Sequence, residues 1–315
     1  NISLKKIKTM HARCKESMMI LDDIHRDYVY KRKFKEKDIL AIKSVAGSGK
    51  TTTLLNLAKK HCTKKILYIA FNKSLITEIK EKIRTHNIKN LIPKTFDSLL
   101  YSLFISINGK EPTITDLRPA SLQNIHTWFE GKPFKLKEFY CKSLSKFCND
   151  ANHSDLETFC MEKFGKKQPI LESLWEKVKN NSLITFETIR KQAYLNKWFQ
   201  GYIDKEYDMI FIDETQDFDM IMLNMLLNDT KIPKVFVGDP MQSIYQFRGC
   251  INAFNHLPKD SLIIEFYSTF RVGYPACDTI RDKFQECWMI SKCKNNTHFV
   301  NSFNEKTEPY TYLFR

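Results

Sequence analysis

An α/β fold, with a parallel sheet flanked by helices and broken by a helical insertion, is the class this sequence predicts. Three observations carry it. Short apolar runs alternate with helical stripes from 38 to 100, that rhythm stops between 101 and 190, and it resumes from 207 to 267.

The elements follow in order. "DILAIKSV" (38–45) reads as a buried strand ending in small residues, and "TTTLLNLAKKHC" after it carries helical spacing at Leu54, Leu55, Leu57 and Ala58. "KKILYIAF" (64–71) is a second strand. In the next segment Leu75, Ile76, Ile79 and Ile83 line one helical face, and "NLIPKTF" is a third extended run. Residues 101–190 hold helical patterns such as "ILESLWEKVK" and few β-branched runs, as expected of an inserted helical subdomain. "YDMIFIDE" (207–214), "KVFVGD" (234–239) and "SLIIEFY" (261–267) restore the sheet, and a helix is predicted from 274.

Composition limits the function classes. The 315 residues suffice for two domains, and 43% hydrophobic with 27% charged residues fits a soluble globular protein. No apolar run has membrane-spanning length and the N-terminus has no signal-peptide pattern, so an intracellular, soluble protein without a membrane partner is expected. Nine cysteines without a C-x-x-C pair suggest thiols in a reducing compartment. The formal charge of +14 suits a polyanionic partner such as nucleic acid, although a lysine-rich solvated surface would give the same balance.

"SVAGSGKTTTL" lies between a strand and a helix. Helix N-termini gather unpaired N–H groups and partial positive charge, which makes such a loop an anion cradle. Ala46, Gly47, Ser48, Gly49, Lys50, Thr51 and Thr52 are the candidate nucleotide-binding residues. Lys50 offers charge to the β and γ phosphates and the Thr51 hydroxyl can ligate Mg²⁺. Ser44 stands where the strict pattern wants its first Gly, and keeps that position small. In "MIFIDETQD" an apolar run carries two acids to a strand's C-terminal end, where open parallel sheets bind ligands. Asp213 is the candidate to hold Mg²⁺ through water, and Glu214 the general base that polarises the attacking water. Together these make a nucleotide-hydrolysing or kinase-like core.

"AGSGKTTTL", "YIAFNKSL", "KTFDSLLY", "FIDETQDF", "VFVGDPMQSIYQFRG" and "YSTFR" occur in the order of the UvrD/Rep-like superfamily 1 DNA helicases, which this chain resembles over roughly 38–315. "LITFETIRKQAYLNKW" is most similar to the F-box DNA helicase branch. The resemblance implies a RecA-like P-loop NTPase fold using ATP and Mg²⁺, acting on single-stranded DNA or a single/double-strand junction with 3′-to-5′ polarity. It implies residues 1–100 and 191–270 as ATPase domain 1A, 101–190 as insertion 1B, and 271–315 as the start of domain 2A. Gln242 is then the γ-phosphate reporter and Arg271 the arginine facing transferred charge. Phe71, Asn72, Lys73, Thr95, Phe96, Ser98, Tyr245, Phe247 and Arg248 become DNA contacts, with aromatics stacking on unpaired bases.

Departures from the family pattern also carry expectations. Asp97 replaces a usual His, and a carboxylate that would repel phosphates is expected to turn away from them. Thr215 replaces a usual Ala, and residues 1–40 hold no Gln with which to read adenine. No stretch resembles the later motifs of the second motor domain, so a helicase cut short is expected, with a second polypeptide as the possible source of the remaining half. A nuclear or viral replication setting suits this class. The rivals are a helicase-derived binding or regulatory subunit without unwinding, against which the five intact residues Lys50, Asp213, Glu214, Gln242 and Arg271 argue, and a P-loop kinase, which would leave the aromatic segment after Gln242 unexplained.

Overall fold

The computed structural model describes residues 4–243, 250–284 and 288–297, with side chains from residue 15 onward. The chain divides into two compact units: residues 1–31, 44–50 and 265–315 form one, and 32–43 with 51–264 the other. No described helix is long and apolar enough to cross a membrane.

The chain begins with α1 (Leu4–Lys31), a helix the sequence reading did not anticipate. In the first unit, α1 is tied to the segment after residue 264. Asp22, fully buried, accepts from the Tyr267 and Ser268 amides (2.7 and 3.1 Å) and pairs with Arg26 (2.7 Å), whose guanidinium lies over the Phe266 ring.

The sheet and its helices alternate as expected. They run β1 (Ile39–Ser44), α2 (Lys50–Lys60), β2 (Ile66–Ala70), α3 (Lys73–Thr85), β3 (Leu91–Thr95) and α4 (Phe96–Asn108). After the insertion come β4 (Met209–Ile212), α11 (Met220–Asn228), β5 (Lys234–Gly238) and β6 (Leu262–Phe266). Strand order is β3-β2-β4-β5-β1-β6, and the pairs β3–β2, β2–β4, β4–β5 and β5–β1 are parallel. Every residue of β2, β4 and β5 is buried, as expected of central strands covered on both faces. This α/β sheet flanked by helices is the predicted class. Because the paired strands run one way, β1 to β5 all deliver their C-terminal residues to one edge. Local signals start the helices there: Asn72 accepts from the Ser74 amide (3.0 Å), Thr95 from Ser98 (3.0 Å) and Asp219 from Met222 (2.8 Å).

The insertion holds α5 (Pro119–Ile125), α6 (Phe134–Cys148), α7 (Leu156–Phe164) and α8 (Pro169–Lys179); α9 (Phe186–Leu195), whose Ile189 and Ala193 join the main core, and the single turn α10 (Ile203–Glu206) lead back to the sheet. The insertion has its own core, where Phe129, Leu144, Phe147, Phe159 and Leu171 pack with Trp175. Cys141, Cys148 and Cys160 are buried there, and burial pushes their thiols well up, Cys141 and Cys160 to about 11. Such thiols are poor nucleophiles. The first unit also holds a two-stranded sheet of β7 (Ser268–Thr269) and β8 (Ile290–Ser291), with α12 (Ala276–Lys283) between them.

One ionic cluster, buried at Lys191 and His153 and open to solvent at Glu162, fastens the α6–α7 loop. Lys191 of α9 donates to the Asp150 and His153 carbonyls (2.6 and 2.7 Å), and burial lowers its pKa to about 8. His153 places Nδ1 2.9 Å from Asp150 Oδ2 and Nε2 2.8 Å from Glu162 Oε2. Both partners only accept, so both ring nitrogens must donate, which requires imidazolium. The Asp150 hydrogen bond raises the His153 pKa above its ordinary 6.5, with Glu162 adding to it. Burial would raise Asp150, but bonds from the Asn152 amide and His153 hold it low, while Lys163 and then His153 lower Glu162. The sign follows by linkage. A raised histidine contributes stability that is complete below pH 6.5 and lost as pH climbs through the folded-state value; the carboxylate contributions are lost as pH falls through their lowered values. The urea midpoint should therefore decline above pH 6.5 more steeply in wild type than in His153→Gln. Parallel curves for the two proteins would show that His153 is not charged in this clamp.

Candidate nucleotide and single-strand sites

In the first unit, the phosphate loop is stitched to the segment carrying Arg271. The Val45 amide donates to Phe266 O (3.2 Å) and Phe270 to Gly47 O (2.9 Å). Gly47 has φ +71°, and a Cβ there would lie 2.5 Å from Arg271 Cβ and 2.9 Å from Thr269 Oγ1. Only glycine supplies both the left-handed backbone and the close approach. Thr269 Oγ1 in turn accepts from the Arg271 and Val272 amides, so Gly47 and exposed Arg271 sit side by side. Ala46 packs against the small cluster of Cys277 and Met289. Ser44, the departure from the strict motif, is a buried strand end. Ser48 is buried and turns its amide back to Val45 O (3.2 Å), so its place in the loop is as a turn former. Gly49 has φ +84°, and Lys50 opens α2.

In the second unit, the acidic strand tip forms a connected network. Asp213, 2% exposed, takes its amide bond to Ile69 O on β2 (2.9 Å). Its Oδ1 accepts from the Glu214 amide (2.9 Å), and its Oδ2 from the Tyr68 hydroxyl (2.6 Å) and Thr51 Oγ1 (3.3 Å). Burial and then the Asp213 charge push the Tyr68 phenol well above its usual range, which keeps it a donor. Thr51 directly follows Lys50 in the chain, while Thr52, the next residue, is exposed. The adjacent Thr51 and Asp213 oxygens fit Mg²⁺, a hard cation that takes few protein oxygens and completes its shell with water and phosphate.

Glu214 has φ +51°, ψ +50°, a left-handed backbone that is uncommon without glycine and that clusters at functional sites. Its Oε2 accepts from Gln216 Nε2 (2.8 Å), and Gln216 Oε1 accepts from the Asp239 amide (3.1 Å). Asp239 Oδ2 accepts from Gln242 Nε2 (2.6 Å). A continuous path thus leads from Tyr68 through Asp213, Glu214, Gln216 and Asp239 to Gln242. Thr215 donates to Val237 O (2.9 Å), locking the strand tip to β5. Gly238 is demanded by proximity, since a Cβ there would meet Gln216 Oε1 at 2.7 Å.

On the same unit, a cavity of about 540 Å³ opens beside the ends of β2 and β3. Lys73, Lys80 and Lys94 line it with the Thr95, Ser98 and Ser102 side chains, and Tyr101 and Phe186 supply rings. Burial lowers the Lys94 pKa, and its Nζ reaches Ser102 Oγ (3.4 Å). Of the predicted DNA contacts, Lys73, Thr95 and Ser98 lie here together. Phe71 is half-buried against the main core, and the Asn72 side chain is used as a helix cap. Phe96 corrects an expectation: its ring is 1% exposed and packs edge-on against Phe218 (5.9 Å), so that side chain belongs to the core. Tyr245, Phe247 and Arg248 lie outside the described residues.

Sequence reasoning missed Phe186, 40% exposed at the first turn of α9, as well as Tyr68, Gln216, Lys80 and Lys94. Asp97, expected to turn away from phosphates, also lines this cavity, and its carboxylate is paired with Arg190 at 2.9 Å, a guanidinium that Asp219 shares at 2.8 Å.

The chain is 26% identical over 294 residues to F-box DNA helicase 1 of Gallus gallus, covering 86% of this chain and 27% of that protein. It is 27% identical over 239 residues to F-box DNA helicase protein 1 of Schizosaccharomyces pombe, covering 67% and 26%. RecBCD enzyme subunit RecB of Buchnera aphidicola is 30% identical over 185 residues, covering 49% of this chain and 15% of that protein. The chain thus spans about a quarter of the length of the two F-box relatives. The UvrD/REP helicase N-terminal domain matches residues 30–261, from the end of α1 to the threshold of β6, and by that match the chain belongs to the UvrD/REP helicase family.

Proposed function

We propose that this chain is the N-terminal motor portion of an ATP-dependent DNA helicase, which couples ATP hydrolysis to binding and unwinding at single-stranded DNA. In this reading residues 1–100 and 191–270 are domain 1A, 101–190 the insertion 1B, and 271–315 the start of domain 2A. A separate apolar core, drawn from residues between 122 and 183, supports an independent subdomain within the middle segment. The phosphate loop with Lys50 binds the triphosphate, and Thr51 and Asp213 hold Mg²⁺, which neutralises phosphate charge when bound. Glu214 accepts a proton from the attacking water, Gln242 senses the γ-phosphate, and Arg271 stabilises transferred charge. The 3′-to-5′ polarity and a nuclear or viral replication setting rest on resemblance alone.

The observation that carries the reading is the unbroken hydrogen-bond path from Asp213 to Gln242 on the sheet edge that also bears the lysine- and ring-lined cavity. Base stacking on an aromatic contributes about 1–3 kcal/mol. Phe186→Ala should accordingly weaken oligonucleotide affinity roughly 5- to 150-fold, read by fluorescence anisotropy, and raise the DNA concentration that half-stimulates ATP turnover. Single-strand binding that ignores both nucleotide and this substitution, in a protein without ATP turnover, would instead identify a binding subunit.

A further inference from the structure

Tyr68 is the one polar side chain on β2, a strand whose five residues are all buried. A phenol in such a place loses its hydration and must recover a partner. The partner is Asp213 Oδ2, 2.6 Å away, the same oxygen that lies 3.3 Å from the Thr51 hydroxyl. The carboxylate's other oxygen is held by the Glu214 amide at 2.9 Å. With a donor on each oxygen, the plane of the carboxylate is set before any ligand arrives.

We infer that Tyr68 is a positioning residue for the magnesium site, fixing the Asp213 carboxylate in the orientation that presents it beside Thr51. The inference rests on the ATP and Mg²⁺ reading given above. Mg²⁺ demands near-octahedral geometry, so a carboxylate free to rotate is a poorer ligand than one held in register. Outer-shell hydrogen bonds to ligating groups contribute about 10- to 100-fold in metal affinity. The ring of Tyr68 fills core space whatever its hydroxyl does, and only the hydroxyl is assigned this role.

The test is an equilibrium one on the 315-residue chain. Affinity for a fluorescent ADP analogue is titrated against free Mg²⁺, and again in EDTA, for wild type and Tyr68→Phe. The expected result is an upward shift of the Mg²⁺ midpoint of about tenfold or more, with affinity in EDTA unchanged. A purely structural role would move the melting temperature and the EDTA affinity, and leave the midpoint in place. An unshifted midpoint in folded Tyr68→Phe overturns the inference while leaving the nucleotide reading standing. If wild type binds the analogue with no Mg²⁺ dependence, both fall. Should Tyr68→Phe fail to fold, 4-aminophenylalanine at position 68 keeps an N–H donor at the same reach as the hydroxyl and is expected to keep a midpoint near wild type. A folded variant of this kind with the full shift would count against the role.

Discussion

Glu214→Gln is expected to lower DNA-stimulated ATP turnover by about 10²- to 10⁴-fold, the range that a positioned general base supplies. Nucleotide and oligonucleotide affinity should change little. The amide is isosteric, and Gln216 Nε2, which now donates to Glu214 Oε2 at 2.8 Å, can donate equally to an amide oxygen. What the substitution removes is proton-accepting capacity at one place. The backbone strengthens this expectation, because the left-handed conformation of Glu214 persists at a non-glycine residue only where its surroundings enforce it. Here the Glu214 amide is bound by Asp213 Oδ1 and its side chain by Gln216, so the carboxylate is aimed from both ends. Lys50→Ala should differ in kind and lose nucleotide binding itself. Single-turnover hydrolysis beside equilibrium binding separates the two. A Glu214→Gln protein with near-normal turnover would remove Glu214 from the role of base.

Much of this was legible in the sequence because it depends on local order. Buried five-residue strands announce themselves as apolar runs, and the acids of "FIDETQD" sit at a strand end whatever the tertiary detail. The caps Asn72, Thr95 and Asp219 are residue types suited to helix starts. The residues missed were those whose meaning is set by distant partners. Tyr68 reads as one more β-strand aromatic until Asp213, 145 residues later, is seen to receive its hydroxyl. Phe186 follows a capping threonine and has the look of a core residue, yet it stands exposed in the lysine-lined cavity. Phe96 is the reverse case, where a motif position suggested a DNA contact and packing against Phe199 and Phe218 claimed the ring. The 28-residue α1 went unread because its stabilising contacts, such as Asp22 with the 267–268 amides, are again remote in sequence.

Arg190→Ala should be among the most destabilising single changes in the second unit, by about 3 kcal/mol or more, because it strands two carboxylates. Arg190 donates through one terminal nitrogen to Asp219 Oδ2 at 2.8 Å and through the other to Asp97 Oδ1 at 2.9 Å. Burial opposes its charge, but Asp219 and then Asp97 outweigh that and hold its pKa up. The two acids are unequal. The Asp219 side chain is 8% exposed and the Asp97 side chain 34%, so water can recover Asp97 but hardly Asp219. Asp219 also caps α11 through Oδ1, and an unpaired charge there disturbs that helix start as well. The low end of the usual range for breaking a buried pair therefore applies. Arg190→Met restores the lost stem volume but leaves the charge defect, so it should recover only part of the stability. Adding Asp97→Asn to Arg190→Met should change little, since Asp219 carries most of the penalty. Urea denaturation of the set measures these differences. A loss below about 1 kcal/mol for Arg190→Ala would place the cluster with surface ion pairs. Phe186 lies four residues earlier on the same helix, one turn from Arg190, so loosening this anchor should also weaken oligonucleotide binding in the folded variant. Stability and DNA affinity falling together in Arg190→Ala, and DNA affinity alone in Phe186→Ala, would distinguish the anchor from the surface it holds.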